Sequence, residues 1–188
     1  MGELKVFLKF LVLVLPLYAG GFFILTKVEN PSEKINKEEF ITMEITSSAF
    51  KNDEMIPEKY TCDGENVNPS LKISNVPQEA KSLALIIEDP DAGGGIWAHW
   101  LVWNIDPKAF LIEEGSVPKG SIEGTNDYES QSYEGPCPPS DIHHYYFKLY
   151  ALDDTLDLDP SSRREDLIRA METHIIDQAD LVGLYKRK

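Results

Sequence analysis

A chain of 188 residues with 42% hydrophobic and 10% aromatic side chains can bury one substantial core, and domain sizes near ~100–200 residues argue against a second. Its 18 basic residues stand against 32 acidic ones, a net charge of −14, and without the first 27 residues, which hold Lys5, Lys9 and Lys27 against Glu3, the balance is 15 to 31. Such a body repels nucleic acid and anionic lipid surfaces, so an anion bound to it must be held by local donors against the field of the whole molecule.

In chain order, Lys5 and Lys9 precede an uncharged 17-residue run, Phe10 to Thr26, which Lys27 closes. That is close to the length a helix needs to cross a bilayer. Two readings of residues 1–27 stand open: an uncleaved signal anchor, or a signal peptide with Leu17-Tyr18-Ala19 before Gly20 as a loose cleavage site. Either places the rest of the chain outside the cytoplasm, at the cell membrane as a single-pass protein or secreted once the leader is removed. Residues 28–40 are polar, contain Pro31 and read as a linker; residues 41–188 read as one domain. Outside the cytoplasm Cys62 and Cys137, the only cysteines, form a disulfide or stay as two buried thiols. Their number and spacing do not suit zinc, and no metal or cofactor is expected.

The domain opens with an imperfect alternation, Ile41 to Ser47, predicted as a strand. Lys51 to Pro69 has no sustained period and reads as a long ordered loop, followed by a short strand, Leu71 to Ser74, that the turn Asn75-Val76-Pro77 ends. Leu83 to Ile87 and Ile96 to Ile105 have the length and the β-branched and aromatic content of buried strands, and the Asp-Pro-Asp and triple-glycine segment between them must turn. Asp89 and Asp91 at the end of one strand, with His99 inside the next, make a candidate site. A carboxylate holds an imidazole in one tautomer, and an oriented imidazole can hydrogen bond to a bound anion.

Pro107 to Pro139, rich in Gly, Pro and Glu, is predicted to loop. His143 to Leu152 returns to strand character, and its period of two sends His143 and His144 to opposite faces. The two therefore cannot chelate together, and one of them enters a pocket with Tyr145 near its rim. Ser162 and Glu165 form a capping box for one helix, whose stripe is Leu167, Ile168, Met171, Ile175 and Ile176, with His174 solvated. Asp180 to Lys186 reads as a short closing strand. No repeat, phosphate-binding Gly loop or nucleophile elbow occurs. The architecture is mainly β.

Tyr60-Thr-Cys-Asp-Gly-Glu-Asn66 with Asn68-Pro69, Asp89-Pro-Asp-Ala92, Trp97-Ala-His99-Trp, Gly124-Thr-Asn-Asp-Tyr128, Gly135-Pro-Cys-Pro-Pro139 and His143 to Asp153 together resemble the phosphatidylethanolamine-binding protein family, in its bacterial and archaeal, Raf kinase inhibitor-like branch. The resemblance covers roughly residues 43–186. It implies a large antiparallel sheet packed on a smaller one, a C-terminal helix, and a small pocket for phosphate-like or other compact anionic groups. It further implies that Asp89 and His99 sit in that pocket, that His143 enters from the later strand, that Trp97 and Tyr145 form the wall, and that Gly135 and Pro136 lie at the rim.

Four positions depart from the family pattern. Gly93, followed by Gly94 and Gly95, replaces the usual proline after Asp-Pro-Asp-Ala and loosens one wall. Glu129, Glu134 and Asp141 stand where relatives commonly have glycine; three added carboxylates oppose a bare anion and favour a zwitterionic or cationic headgroup. The expected function is an outward-facing binding protein for a small anionic or zwitterionic group such as a phospholipid headgroup. The alternative is an inhibitor or regulator of a partner protein, a kinase or protease. Catalysis is not expected, because nothing marks Ser140, the hydroxyl near His143, as activated. Binding is expected to strengthen as the histidines protonate below about pH 6.5.

Overall fold

The structure, a computed structural model, describes residues 42–188. Glu44–Ser47 (β1) and Leu71–Ser74 (β3) alternate between exposed and buried residues and pair antiparallel; Leu111–Ile112 (β6) completes a three-stranded sheet on the far edge of β3. A larger sheet is built from Glu54–Met55 (β2), Ser82–Asp89 (β4), Trp97–Ile105 (β5), Ile122–Glu123 (β7), His143–Leu152 (β8) and Ile175–Tyr185 (β9), in the order β2-β9-β8-β4-β5-β7. Its pairings are antiparallel except for the two-residue β2 beside β9. The long loops of the sequence reading thus hold β2 and a 3-10 turn, Glu58–Tyr60, in the first, and β6 and β7 in the second.

Every residue of β4 is buried, because both of its faces are covered. Leu83, Leu85 and Ile87 join Ile45, Ile73 and Phe147 in the core beneath the small sheet. Ala84 and Ile86 join Trp103, Leu167 and Met171 in a second core on the opposite face. Two-sided burial is why this strand reads as a continuous apolar run.

The β4–β5 ladder carries two irregularities. Leu83 pairs with Ile105 but Leu85 with Val102, and Ile87 pairs with Trp100 but Glu88 with Ala98. Asn104 stands in the first, at a positive φ of 56°, and exchanges two hydrogen bonds with the Leu156 backbone at 2.9 and 2.8 Å. His99 is the extra residue of the second. A bulge bends its strand and re-aims a side chain, and here it re-aims a candidate site residue.

The single described α-helix, Arg164–Met171 (α1), is shorter than its stripe suggested. The cap lies one residue later than Ser162–Glu165: Asp166 Oδ2 accepts the Arg163 backbone N–H at 3.1 Å. Ile175 and Ile176 belong to β9, which starts five residues before the predicted closing strand. Two consecutive β-branched residues suit an extended chain better than a helical one, and Ile175 pairs with Leu152 across the sheet. Glu88, on the α1 side of β4 and only 1% exposed, accepts from Lys148 Nζ and Arg164 Nε, both at 2.6 Å. This triad ties β4, β8 and the first residue of α1 together.

The expected membrane location is corrected: among the described residues no helix is long and apolar enough to cross a membrane, and α1 has eight residues. Residues 10–26, on which the anchor and signal-peptide readings rest, lie outside the described residues.

Candidate functional site

The end of β4, the bulge of β5 and the start of β8 meet around a cleft of about 180 Å³ lined by Asp89, Trp97, His99, Tyr128, His143 and Tyr145, with Ala92, Gly93 and the Cys137-Pro138-Pro139 segment completing the walls. Larger hollows exist, about 360 Å³ beside Tyr185, Arg187 and Lys188 and about 460 Å³ beside Phe110 and Lys72. Neither gathers buried ionisable groups as this one does, with Asp89 4%, His99 2% and His143 9% exposed.

The turn acids take their histidines from β8 and not from β5. Asp89 Oδ1 accepts the Asp91 backbone N–H at 2.8 Å, shaping the Asp-Pro-Asp turn, and Oδ2 lies 2.7 Å from His143 Nδ1. A carboxylate only accepts here, so Nδ1 carries the proton. Asp91 turns outward: its Oδ2 accepts both the backbone N–H and Nδ1–H of His144, at 2.8 and 2.7 Å, and does not line the cleft. Those bonds from His144 hold the Asp91 carboxyl below the usual carboxylate range. The alternation argument therefore holds, with His143 inside and His144 exposed, and it distributes the two acids between the two faces.

His99 is oriented by the backbone. Its Nδ1 lies 2.6 Å from the Glu134 carbonyl oxygen, which can only accept, while the Glu134 N–H donates to the His99 carbonyl at 3.1 Å. Burial pushes the His99 pKa down, against the opposing pull of that carbonyl and of the Asp89 and Asp127 charges. The ring thus resists protonation more than a free histidine does, and the expected gain of charge from His99 below pH 6.5 moves to lower pH. For both His99 and His143 the fixed Nδ1–H leaves Nε2 with no protein partner among the described residues.

Tyr145 is not at a rim. It is fully buried, edge-on to His99 at 5.3 Å between centroids, and its hydroxyl has no hydrogen-bond partner among the described residues. Burial, then the Asp89 charge, pushes its pKa far up. At the mouth stand Trp97, 39% exposed, and Tyr128, 42% exposed, their rings 5.6 Å apart at 81°.

Gly135 and Pro136 stand behind the lining and not on it. The Gly135 N–H donates to Asn66 Oδ1 at 2.7 Å, the Cys62 N–H to the Pro136 carbonyl at 3.2 Å, and the Tyr133 hydroxyl to the Tyr60 carbonyl at 2.7 Å. Cys62 and Cys137 are joined by a disulfide, so the segment that carries the Cys137 wall is fastened on both sides of Gly135. The three added carboxylates do not line the cleft either. Glu134 accepts from Asn66 Nδ2 at 2.8 Å, Glu129 pairs with Arg163, and Asp141 is exposed beside Ser140. Glu129 and Asp141 adopt positive φ values of 61° and 58°, the left-handed region where glycine is the default residue. Among the described residues nothing lies within 4 Å of a Cβ added at Gly93.

Tyr128 had no assigned role in the sequence reading, nor had buried Asn126. Asn126 Nδ2 donates to the His99 and Ser132 carbonyls, and Oδ1 accepts the Tyr128 and Ser130 N–H groups, four contacts of 2.9–3.0 Å that hold the loop presenting Tyr128. The signal was present in Gly124-Thr-Asn-Asp-Tyr128, whose turn residues make side-chain to backbone bonds.

Residues 46–186 match the family model described as phosphatidylethanolamine-binding protein. A UPF0098 protein of Methanothermobacter thermautotrophicus is 49% identical over 150 residues, covering 77% of this chain and 99% of that one. One from Pyrococcus abyssi is 51% identical over 150 residues, 76% of this chain and 84% of its own length. The crystal structure of a phosphatidylethanolamine-binding protein homologue from Chlamydia trachomatis superposes with a TM-score of 0.75 at 41% identity, covering 78% of this chain and 99% of that chain. E. coli YbcL, described as a member of the mammalian family, gives 0.75 at 30% identity, covering 79% and 100%.

Proposed function

The chain belongs to the phosphatidylethanolamine-binding protein family, and from that premise we propose that its cleft holds one small ligand through a phosphate-like, anionic or zwitterionic group of the kind a phospholipid headgroup carries. Family membership supports a ligand-binding protein in general; the chemistry of the group is our reading of the cleft.

One observation carries it: both histidines have Nδ1 fastened to the protein, His143 to Asp89 and His99 to the Glu134 carbonyl, which frees Nε2 of each for a ligand. With the Asp89 carboxylate behind it, a His143 ring carrying both protons offers Nε2–H to an anionic oxygen. His99, whose charged form burial disfavours, offers a lone pair. One donor and one acceptor suit a hydrogen-phosphate or phosphate-monoester group, which has both an anionic oxygen and a hydroxyl, whereas the phosphodiester of an intact phospholipid would engage the donor alone. The unpartnered Tyr145 hydroxyl beneath is a further donor whose satisfaction would favour an occupied cleft. Each of these roles is non-covalent, so binding is proposed and not catalysis.

Calorimetric titration of the full chain with inorganic phosphate and phosphoethanolamine at pH 5.5 and 7.5 tests this. Saturable binding that a His99→Ala, His143→Ala double variant loses is the expected result. No binding at either pH, or binding that the double variant retains, refutes it.

A further inference from the structure

The walls of the cleft are a poor match for an anion alone. Among the described residues no lysine or arginine lines it, the protein is net acidic, and carboxylates stand in and behind its walls. Asp89 lies in the lining. Glu134 and Asp89 reach the Tyr128 ring electrostatically and, after burial, hold its hydroxyl above the ordinary value. Asp127 Oδ2 accepts the Ala98 N–H at 2.6 Å, one residue from His99. A positive charge entering the mouth is drawn in by the same field that opposes a bare anion.

The mouth also has the surfaces a cation needs. Trp97 and Tyr128 meet at 81° with centroids 5.6 Å apart, a corner of two aromatic walls, and both rings are part-exposed. Aromatic faces attract cations held within about 6 Å of the centroid, tryptophan most strongly. We infer that the Trp97–Tyr128 corner is a subsite for a methylated ammonium group, carried on the same ligand whose phosphate-like group faces His99 and His143. This rests on the function proposed above and adds the other end of the ligand. The His99 and Tyr128 rings are 5.4 Å apart, a spacing at which a two-carbon linker lets both ends be engaged together.

The choice of a methylated over a primary ammonium follows from the acceptors. A primary ammonium brings three N–H donors that must be satisfied once they leave water. Among the described residues Asp89 is the one carboxylate in the lining and each of its oxygens already accepts a hydrogen bond, while Glu134 and Asp127 stand outside the lining, where they supply field and not contacts. A fully methylated ammonium has no N–H to satisfy and needs only ring faces and a negative field.

The full chain is titrated with inorganic phosphate, phosphoethanolamine, phosphocholine and tetramethylammonium, as wild type and as Trp97→Leu, Trp97→Phe and Tyr128→Leu, with thermal unfolding to confirm that each variant is folded. Phosphocholine should bind about tenfold more tightly than phosphoethanolamine. Trp97→Leu and Tyr128→Leu should erase that preference, bringing phosphocholine and phosphoethanolamine to equal affinity, and Trp97→Phe should keep most of it. Equal affinity for the two zwitterions overturns the inference, as does a Trp97→Leu variant that weakens every probe in proportion. If the wild type binds phosphocholine and tetramethylammonium but not phosphate, the phosphate reading falls and the ammonium subsite stands. No binding of any probe overturns both.

Discussion

Gly135 can be tested by adding a single carbon. A Cβ built there would lie 2.3 Å from the Tyr60 carbonyl oxygen, 2.8 Å from Thr61 Cα and 2.9 Å from Asn66 Oδ1. Comfortable separations are about 3.5 Å, so the two segments must part by roughly 1 Å, and two of the three obstacles cannot rotate away. The bonds at risk are Gly135 N–H to Asn66, Tyr133 hydroxyl to the Tyr60 carbonyl and Cys62 N–H to the Pro136 carbonyl. Overpacking of this kind costs about 1–3 kcal/mol, and each weakened hydrogen bond up to about 1 kcal/mol more. Gly135→Ala should therefore lose about 3 kcal/mol from a domain whose total stability is of order 5–15 kcal/mol. The same shift moves the Glu134 carbonyl that orients His99 and the Cys137 wall, so phosphate affinity of the folded variant should fall about tenfold, equivalent to roughly one hydrogen bond. Urea unfolding followed by tryptophan fluorescence gives the first number and calorimetry the second. An unchanged unfolding midpoint, or full affinity in a variant destabilised as expected, would refute the account of Gly135 as a positioning residue.

Two further results are expected. Glu88→Gln leaves Lys148 and Arg164 facing a neutral amide; their side chains are 28% and 16% exposed and can partly reach water, so the loss should be about 2–4 kcal/mol, at or below that of a fully buried broken pair. Its pH signature follows from a Glu88 carboxyl held below its usual range, because the Arg164 and Lys148 bonds outweigh its burial: wild-type stability from this group is present above the unfolded carboxylate value, about 4.3, and is lost as pH falls toward the folded one, whereas the variant should show no such component in acid unfolding curves. His99 has a pKa that burial lowers below its unfolded value, so the unfolded chain takes up the proton first; its contribution is whole above about pH 6.5 and is lost as pH falls below that. Subtracting the pH 5–8 stability profile of His99→Gln from that of the wild type should leave a positive slope, and a flat difference would count against a buried, neutral ring.

What was legible in the sequence was local. The two central strands, the Asp-Pro-Asp turn and the opposite facing of His143 and His144 follow from residue type and a period of two, which act over a few neighbours. The acid–histidine pairs are a different kind of fact. Asp89 and Asp91 lie near His99 in the sequence, yet they bond to residues 54 and 53 positions away, because β8 and not β5 is the strand that brings a ring to the turn. The partner of His99 is a backbone carbonyl 35 residues on, and every residue has a carbonyl, so no side-chain pattern marks it. The boundary at Ile175 was ambiguous for a simpler reason. Ile175 and Ile176, four and five positions after Met171, extend a helical stripe, but they equally begin a strand, and only pairing with Leu152 decides between them.

The site depends on the register between β4 and β8, and the residues that protect that register lie outside the cleft. Seven consecutive pairs, from Ser82↔Leu152 to Glu88↔Tyr146, place Asp89 beside His143. A slip of one residue would send every β8 side chain to the opposite face: His144 would take the cleft position of His143, and His143 would face solvent. It would also carry Phe147 and Leu149 out of the inter-sheet core and drive Lys148 into it. Losing two buried apolar side chains costs about 1.5–3 kcal/mol each, and Lys148 would lose Glu88 while gaining a desolvated position. The triad at Glu88 and the two-sided burial of β4 thus select the alignment in which Asp89 meets His143, so substitutions at Glu88, Lys148 or Phe147 should alter ligand affinity without touching the ligand.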